Sequence, residues 1–96
     1  MFAGVAAAEC FGYYCSGPIE TMTISDDAVY IRLVGGTTGL NSCTPYSGGY
    51  MVLHKNHANY ASLYSTLVAA HMAKESVSLR PQENGTSCPI LYIMVP

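Results

Sequence analysis

The sequence is poor in charged residues. Only 10% of its 96 residues are Asp, Glu, Lys or Arg, against about 25% in an average soluble domain. It has four Lys and Arg residues and a net charge of −2. These cations are too few to displace the counterions of a phosphate backbone, so we expect no nucleic-acid partner. With so few charges, much of the surface must be uncharged, which favours contact with other copies of the chain or with another partner.

Several sequence signatures of common protein classes are also missing. No apolar run approaches the roughly 20 residues of a membrane-spanning helix, so we expect no membrane span. The cysteines form no Cys-x2-Cys pairs, which argues against a zinc site. The glycine-rich segment 35–49 has no Gly-Lys-Ser/Thr motif, and no Gly-x-Ser-x-Gly motif occurs anywhere. We therefore expect a protein that is not an enzyme, with no cofactor, no bound metal and no catalytic residue.

Three histidines are the remaining candidates for a reaction centre. His54 and His57 have a His-x2-His spacing, but the sequence offers no third ligand, and we predict that they are caps or surface groups. His71 falls at the end of a predicted helix, where a hydrogen bond to the backbone would account for it. A small hydrolase or metal-dependent enzyme that uses these histidines is therefore the third of three functional hypotheses.

Four cysteines, an even number, predict two disulfides and an oxidising compartment. A Cys10–Cys15 bond would close a tight loop, and a Cys43–Cys88 bond would close a loop of about 46 residues. Four cysteines allow three arrangements, and the sequence does not choose between them. Residues 1–8 are apolar and end in three alanines, as in the remnant of a secretory signal, or they form an N-terminal arm. These features favour a periplasmic or secreted protein with one domain, residues 9–96.

Apolar residues at steps of three and four predict one α-helix over residues 59–71. The stripe consists of Tyr60, Leu63, Tyr64, Leu67, Val68 and His71, with Asn56 or Asn59 as the cap. Alternating segments predict strands at 19–25, 28–34, 50–53, 77–80 and 89–95, with a loop at 10–18. The order β-β-β-α-β-β is a mainly β fold with one helix. The last strand is apolar on both faces, which predicts a central strand or one covered by an interface.

The second face of the predicted helix is small or apolar and carries no charge. Its residues are Ala58, Ala61, Ser62, Ser65, Ala69 and Met72. An exposed helix face normally carries Glu and Lys. We therefore predict a homo-oligomer in which this face meets the helix of another subunit. The alternative is that the loop of residues 36–48 lies over it.

Tyrosine is abundant, with eight residues, whereas tryptophan is absent. A tyrosine offers apolar area and a hydroxyl group at a low cost in conformational entropy, which suits a binding surface. The predicted ligand-binding residues are Tyr13, Tyr14, Tyr30, Tyr46 and Tyr50, with a glycan or a protein as the ligand. The alternative for the adjacent pair, Tyr13 and Tyr14, is that one ring belongs to the core and the other covers it.

Several segments within residues 18–96 carry a resemblance to known proteins. The segments that carry this resemblance are Ala28-Val-Tyr-Ile-Arg-Leu33, the central Cys43, and Asn59-Tyr-Ala-Ser-Leu-Tyr-Ser-Thr-Leu-Val-Ala-Ala70 followed by Ser76-Val-Ser-Leu79. They are similar to the B subunits of pentameric toxins of the subtilase-cytotoxin type, and to uncharacterised proteins of environmental bacteria, some of which travel on mobile gene cassettes.

The element order resembles the OB-fold, which implies a five-stranded barrel with the helix at one end. Together with the toxin resemblance, this implies an exported, oligomeric, non-enzymatic binding module. No sugar-binding motif can be matched, so the resemblance assigns no binding residues. The second functional hypothesis is a structural or inhibitory protein that occupies the surface of another protein without binding a small ligand.

Overall fold

The computed structural model of the protein describes residues 8–37, 39–46, 48–83 and 86–95. Within these ranges the elements follow the order β1 (Glu9–Cys10), β2 (Cys15–Ile24), β3 (Ala28–Leu33), β4 (Met51–His54), α1 (Tyr60–Ala73), β5 (Ser76–Pro81) and β6 (Ile90–Met94). The prediction of a mainly β fold, with one helix between the third and fourth long strands, is confirmed. Of the predicted signal remnant or arm, residues 1–7 lie outside the described residues.

The strands form one antiparallel sheet in the order β4-β3-β2-β5-β6, with β1 added to β2. The two ends of this path, β4 and β6, meet at a single parallel bridge between Val52 and Pro89. There the Val52 N–H donates to the Cys88 carbonyl oxygen at 3.2 Å. The sheet therefore curls in the manner of an OB-like barrel, but it is not closed by a ladder. We call the narrow contact between β4 and β6 the seam.

Strand β2 joins the two halves of the sheet. Its first half pairs with β1 and β5, and its second half pairs with β3. The predicted loop at 10–18 is therefore wrong at Cys10, which belongs to β1, and from Cys15 onward, and only residues 11–14 form the turn. Position 17 lies inside the strand and requires glycine, because a Cβ there would lie 2.7 Å from the Ala8 Cα. Pro18 stands where β2 passes from β5 to β3, a position at which a sheet tolerates a residue without an N–H.

The core lies between the curled sheet and the helix. Val29, Ile31 and Leu33 are fully buried, as the alternation of β3 predicted. Leu67 and Ala70 are the buried residues of α1. The predicted stripe thus included the main core residue of the helix, Leu67, but not Ala70. At 14 residues, the helix is too short to cross a bilayer.

The second face of α1 is exposed in the described part of the chain. All six residues of the predicted face, Ala58, Ala61, Ser62, Ser65, Ala69 and Met72, are accessible to solvent. The alternative in which the loop of residues 36–48 covers this face is therefore wrong for the residues described.

Both pairs of cysteines are joined. Cys10 bonds to Cys15 across the β1–β2 hairpin, and Cys43 bonds to Cys88. The prediction of two disulfides is confirmed, and one of the three possible arrangements is selected. The second bond attaches the loop of residues 35–49 to the chain segment that enters β6, beside the seam.

Strand β6 stands at the end of the sheet path. It pairs with β5 along its length and touches β4 only at the seam. The prediction that the last strand is central is therefore wrong, because the barrel opens on its outer side. Its apolar character is not explained by burial within one copy of the chain, since most of its side chains are exposed.

Candidate functional site

The five tyrosines predicted from the sequence fall into two groups. The Tyr13 and Tyr14 rings lie 5.4 Å apart, measured between centroids. The Tyr30 and Tyr46 rings lie 5.0 Å apart, and Tyr50 pairs with Tyr46 through its backbone. Among the described residues no ring contact joins the two groups. The structure therefore divides the predicted surface into two candidate sites.

The first group lies on the turn between β1 and β2. Cys10 and Cys15 are opposite each other on these strands, so their disulfide encloses only four residues. Within this ring the Phe11 N–H donates to the Tyr14 carbonyl oxygen at 2.8 Å, and the Phe11 and Tyr14 rings stack at 4.9 Å. Phe11 and Tyr13 are about half exposed. The short covalent ring thus holds three aromatic side chains together, with Tyr14 less exposed than the other two. Neither Tyr13 nor Tyr14 belongs to the buried core, so the alternative that one of the two rings is a core residue is wrong.

Arg80 of β5 completes this group. Its guanidinium carbon lies 4.6 Å from the centroid of the Tyr13 ring, within the range of a cation–π contact. Its Nη1 donates to the Tyr13 carbonyl oxygen at 3.4 Å, and its Nη2 pairs with the Glu83 carboxylate at 3.1 Å. The buried Nε–H has no partner among the described residues. Arg80 is therefore fixed under the aromatic rings while one of its donors is still unused.

Tyr92 joins the group through strand register. Leu79 is buried and lies opposite Cys15 on one side and Ile93 on the other, so these three residues point inward. Arg80 and its partner Tyr92 therefore point outward, because neighbouring residues of a strand alternate between its two faces. We call the set Phe11, Tyr13, Tyr14, Arg80 and Tyr92 the aromatic face.

A shallow hydroxyl-lined cavity lies on the same side of the sheet. It has a volume of about 210 Å³ and is lined by Ser16, Ser76, Val77, Ser78, Met94 and Val95. The Ser16 and Ser78 hydroxyl oxygens are 2.7 Å apart across β2 and β5. Ser78 precedes Arg80 by two residues, so the cavity begins about 7 Å from the Arg80 position. The aromatic face therefore has hydroxyl groups at its border.

The second group attaches a loop to the sheet. Arg32 of β3 donates from Nε to the Gly48 carbonyl oxygen at 2.8 Å and forms an ion pair with Glu20. Beside it, the Tyr30 and Tyr46 rings pack together at an angle of 45°. Through these contacts the second group attaches the loop of residues 35–49 to β3. It is the weaker candidate for a ligand site, because these contacts already account for it as the attachment of the loop to the sheet.

His57 forms a link between α1 and β6. Its Nδ1 accepts the Asn59 N–H at 2.9 Å, so Nε2 carries the proton and donates to the Leu91 carbonyl oxygen at 3.1 Å. Both ring nitrogens are thus used. His54 is exposed and borders a cavity of about 310 Å³ beside the seam. Within the described ranges, no three His, Cys, Asp or Glu residues are placed to hold one metal ion.

We expect the change His57→Ala to lower the free energy of unfolding by about 1–2 kcal/mol. The variant loses both hydrogen bonds, and each is worth about 0.5–1.5 kcal/mol net. Urea denaturation followed by circular dichroism measures the change. His54→Ala is the matched control, because His54 is exposed, and it should shift stability by less than about 0.5 kcal/mol. Equal effects of the two substitutions would contradict the linking role of His57.

The functional residues that sequence reasoning missed are Phe11, Arg80 and Tyr92. Arg80 and Tyr92 share a face of the sheet because β5 pairs with β6, and this face meets the β1–β2 turn because β2 pairs with β5. Neither pairing can be read from the alternation of a single strand. Comparison of the chain with protein-family models, with curated proteins and with solved structures gave no significant match. The likeness to toxin B subunits therefore rests on the sequence segments alone.

Proposed function

We propose that this protein is an exported, non-enzymatic binding module that recognises a glycan or a protein through the aromatic face. The observation that carries the proposal is the aromatic cluster of Phe11, Tyr13 and Tyr14, which a disulfide-closed ring holds together and which Arg80 contacts through the Tyr13 ring. Exposed aromatic side chains and arginine are the residues that most often supply binding energy at protein surfaces.

Rigidity supports a binding role for this surface. The ring closed by Cys10 and Cys15 allows little backbone freedom, and Arg80 bonds to the carbonyl oxygen of Tyr13. A surface that is already ordered loses little entropy when a ligand binds, so more of the contact energy remains as affinity.

A carbohydrate is the ligand that fits this surface best. The aromatic rings offer flat apolar area, and the serine-lined cavity beside them offers hydroxyl groups as donors and acceptors. Two disulfides support export, because such bonds persist in oxidising compartments.

We expect Tyr13→Ala to weaken binding at least tenfold, which corresponds to about 1.4 kcal/mol. The variant removes the exposed ring that lies over Arg80. The ligand would be found by screening a glycan array, and affinities for the best glycan would be measured by calorimetry.

Tyr46→Ala is the matched control for this experiment. Tyr46 is a similarly exposed tyrosine, but it belongs to the second group. Binding that is lost in the Tyr46 variant and kept in the Tyr13 variant would transfer the site to the second group and overturn the proposal. If the protein binds no glycan on the array, the glycan form of the proposal is wrong and a protein ligand remains.

Recognition of a protein surface is the second candidate. It is favoured by exposed apolar side chains on and just after β6, the strand that carries Tyr92, namely Leu91, Met94 and Val95. In that case the module acts as a structural or inhibitory partner. Capture of one partner from the native host, lost on Tyr13→Ala and kept on Tyr46→Ala, would select this candidate.

A further inference from the structure

We propose that two copies of this chain pair through the free edge of β6, antiparallel and about a two-fold axis at Ile93. This inference goes beyond the binding function, because it assigns a second surface and names its occupant. It requires a free backbone edge, an unprotected apolar strand and a register in which the exposed side chains match. Each of these can be read from the strands.

The backbone of Ile93 points away from β5. The Cα atoms of Cys10 and Cys15 are 4.0 Å apart, the short spacing of an antiparallel pair whose backbones do not bond to each other. The N–H and C=O groups of Cys15 therefore point to the other side of β2, toward Leu79 on β5. Leu79 therefore faces β2, and its two neighbours face β6. Ile93, opposite Leu79, must then direct its N–H and C=O outward. Among the described residues, nothing bonds to these two groups.

The Leu91 carbonyl supports this orientation independently. It lies two residues before Ile93, on the same edge of the strand, and it accepts a hydrogen bond from His57 rather than from β5. A carbonyl oxygen can accept a second bond, so this contact leaves the edge available for another strand. The register shift in the β5–β6 pairing falls between Arg80 and Pro81, so Leu91 is the extra residue on β6, and residues 92–94 pair regularly.

From Tyr92 to Met94 the edge lacks the features that normally prevent strands from pairing between molecules, whereas at Leu91 the His57 side chain already bonds to it. Natural edge strands are protected by lysine, proline, inward charges or a covering element. Strand β6 contains no charged residue and no proline, although prolines flank it in the sequence at positions 89 and 96. Leu91, Tyr92, Met94 and Val95 are 41%, 46%, 44% and 56% exposed. Four of the nine exposed large hydrophobic side chains of the described chain thus lie within five consecutive residues, which is where a partner strand would bind.

The two-fold register accounts for all four of these side chains. When Ile93 lies opposite Ile93 of the second copy, Leu91 faces Val95 and Tyr92 faces Met94. Every exposed apolar side chain of β6 then meets another one, and no charge is buried. The occupant that matches this strand is therefore the same strand, in the isologous arrangement that most homodimers use.

The size of the contact predicts a weak dimer. A standard stable interface buries about 800 Å² on each partner. Four side chains that are already half buried offer less than this, so we expect a dimer that dissociates on dilution in the micromolar range. Tyr92 also belongs to the aromatic face, so pairing would place two aromatic faces side by side on one continuous sheet and permit bivalent binding.

The exposed face of α1 is the rival surface for self-association. It is uncharged, but it is built of alanine and serine, and Met72 is its single large apolar residue. It offers no unpaired backbone group, because the N–H and C=O groups of a helix interior bond within the helix. Pairing at the edge of β6 would therefore form more backbone hydrogen bonds and bury more apolar surface than contact through the helix face.

Two double variants test the register directly. In Leu91→Lys/Val95→Lys, each copy places lysine opposite lysine of the other copy, and the dimer dissociation constant should rise at least tenfold. In Leu91→Lys/Val95→Glu, the charges across the axis are opposite, and the dissociation constant should stay within about threefold of the wild type. Both variants remove the same apolar side chains, so a difference between them reports the pairing itself.

Sedimentation equilibrium of the full chain, over about 1–500 µM, measures these constants, and circular dichroism checks that each variant is folded. Met72→Lys is the control for the helix face and should leave the dissociation constant unchanged. The proposal is overturned if the wild type is monomeric throughout, if the two double variants behave alike, or if Met72→Lys alone separates the copies. Ligand binding is measured separately, so either proposal can fail while the other stands.

Discussion

Replacing Cys43 and Cys88 together by alanine should lower the free energy of unfolding by about 4 kcal/mol. The bond closes a loop with a sequence separation of 45 residues, and the entropy lost by the unfolded chain grows with the length of the closed loop. Cys88 is also fully buried, and its carbonyl oxygen accepts the backbone bond that Val52 donates across the seam. Loss of the disulfide therefore loosens the sheet where it is least supported.

The first disulfide is the internal comparison for this experiment. Cys10→Ala/Cys15→Ala opens a ring with a sequence separation of 5, for which the same relation gives about 2 kcal/mol. Urea denaturation of the two double variants at one pH measures both changes. A smaller loss for the Cys43/Cys88 variant than for the Cys10/Cys15 variant would show that the loop and the seam do not depend on the longer bond. The Cys10/Cys15 variant should also bind ligand more weakly, because the aromatic ring cluster is no longer closed.

The second large effect is expected for Leu67→Ala, which should cost about 3–4 kcal/mol. Leu67 has no exposed surface and is the main contact of the helix with the core formed by the sheet. Removing a buried leucine side chain loses its transfer free energy and leaves a cavity that neighbouring residues fill only partly. Since only one helix of the described chain covers this core, no second helix can move in to fill the space.

Met72→Ala is the control on the same helix. The Met72 side chain is 78% exposed, and both substitutions change a large residue to alanine, which favours a helix. Its effect on stability should stay below about 0.5 kcal/mol. Thermal or urea unfolding measures both variants, and a loss for Leu67→Ala below about 1 kcal/mol would contradict the assigned position of the helix.

The parts of the fold that could be predicted are those in which the pattern of one segment decides its structure. Val29, Ile31 and Leu33 alternate with polar or amphipathic residues, and this period of two leaves one face to bury. The helix was similarly visible in its apolar spacing. The hairpin from Glu9 to Gly17 was not, because glycine and proline normally interrupt strands. Gly17 is required instead by the Ala8 backbone that crosses it, a contact that no local pattern records.

The candidate site shows the same limit. The sequence pointed to Tyr13 and Tyr14 because they are adjacent and lie between two cysteines. It could not point to Arg80, which is separated from Tyr13 by 67 positions and reaches it only through the pairing of β2 with β5. Nor could it separate Tyr30 and Tyr46 from the first group, because the number of tyrosines does not show which of them lie close together in the fold. Strand order and register supplied what the residue pattern lacked.

The position of β2 in the sheet has a consequence for the route by which the chain folds. Ser16 meets Ser78 across a separation of 62 positions, so this half of the sheet cannot assemble until nearly the whole chain has emerged and collapsed. Contacts between distant segments form slowly, because a long loop must first be closed. The Cys10 and Cys15 thiols are close in sequence, so they can be oxidised to a disulfide early. Cys43 and Cys88 meet only once the later strands have docked. Oxidation of the second pair is therefore a late event that locks an already assembled molecule.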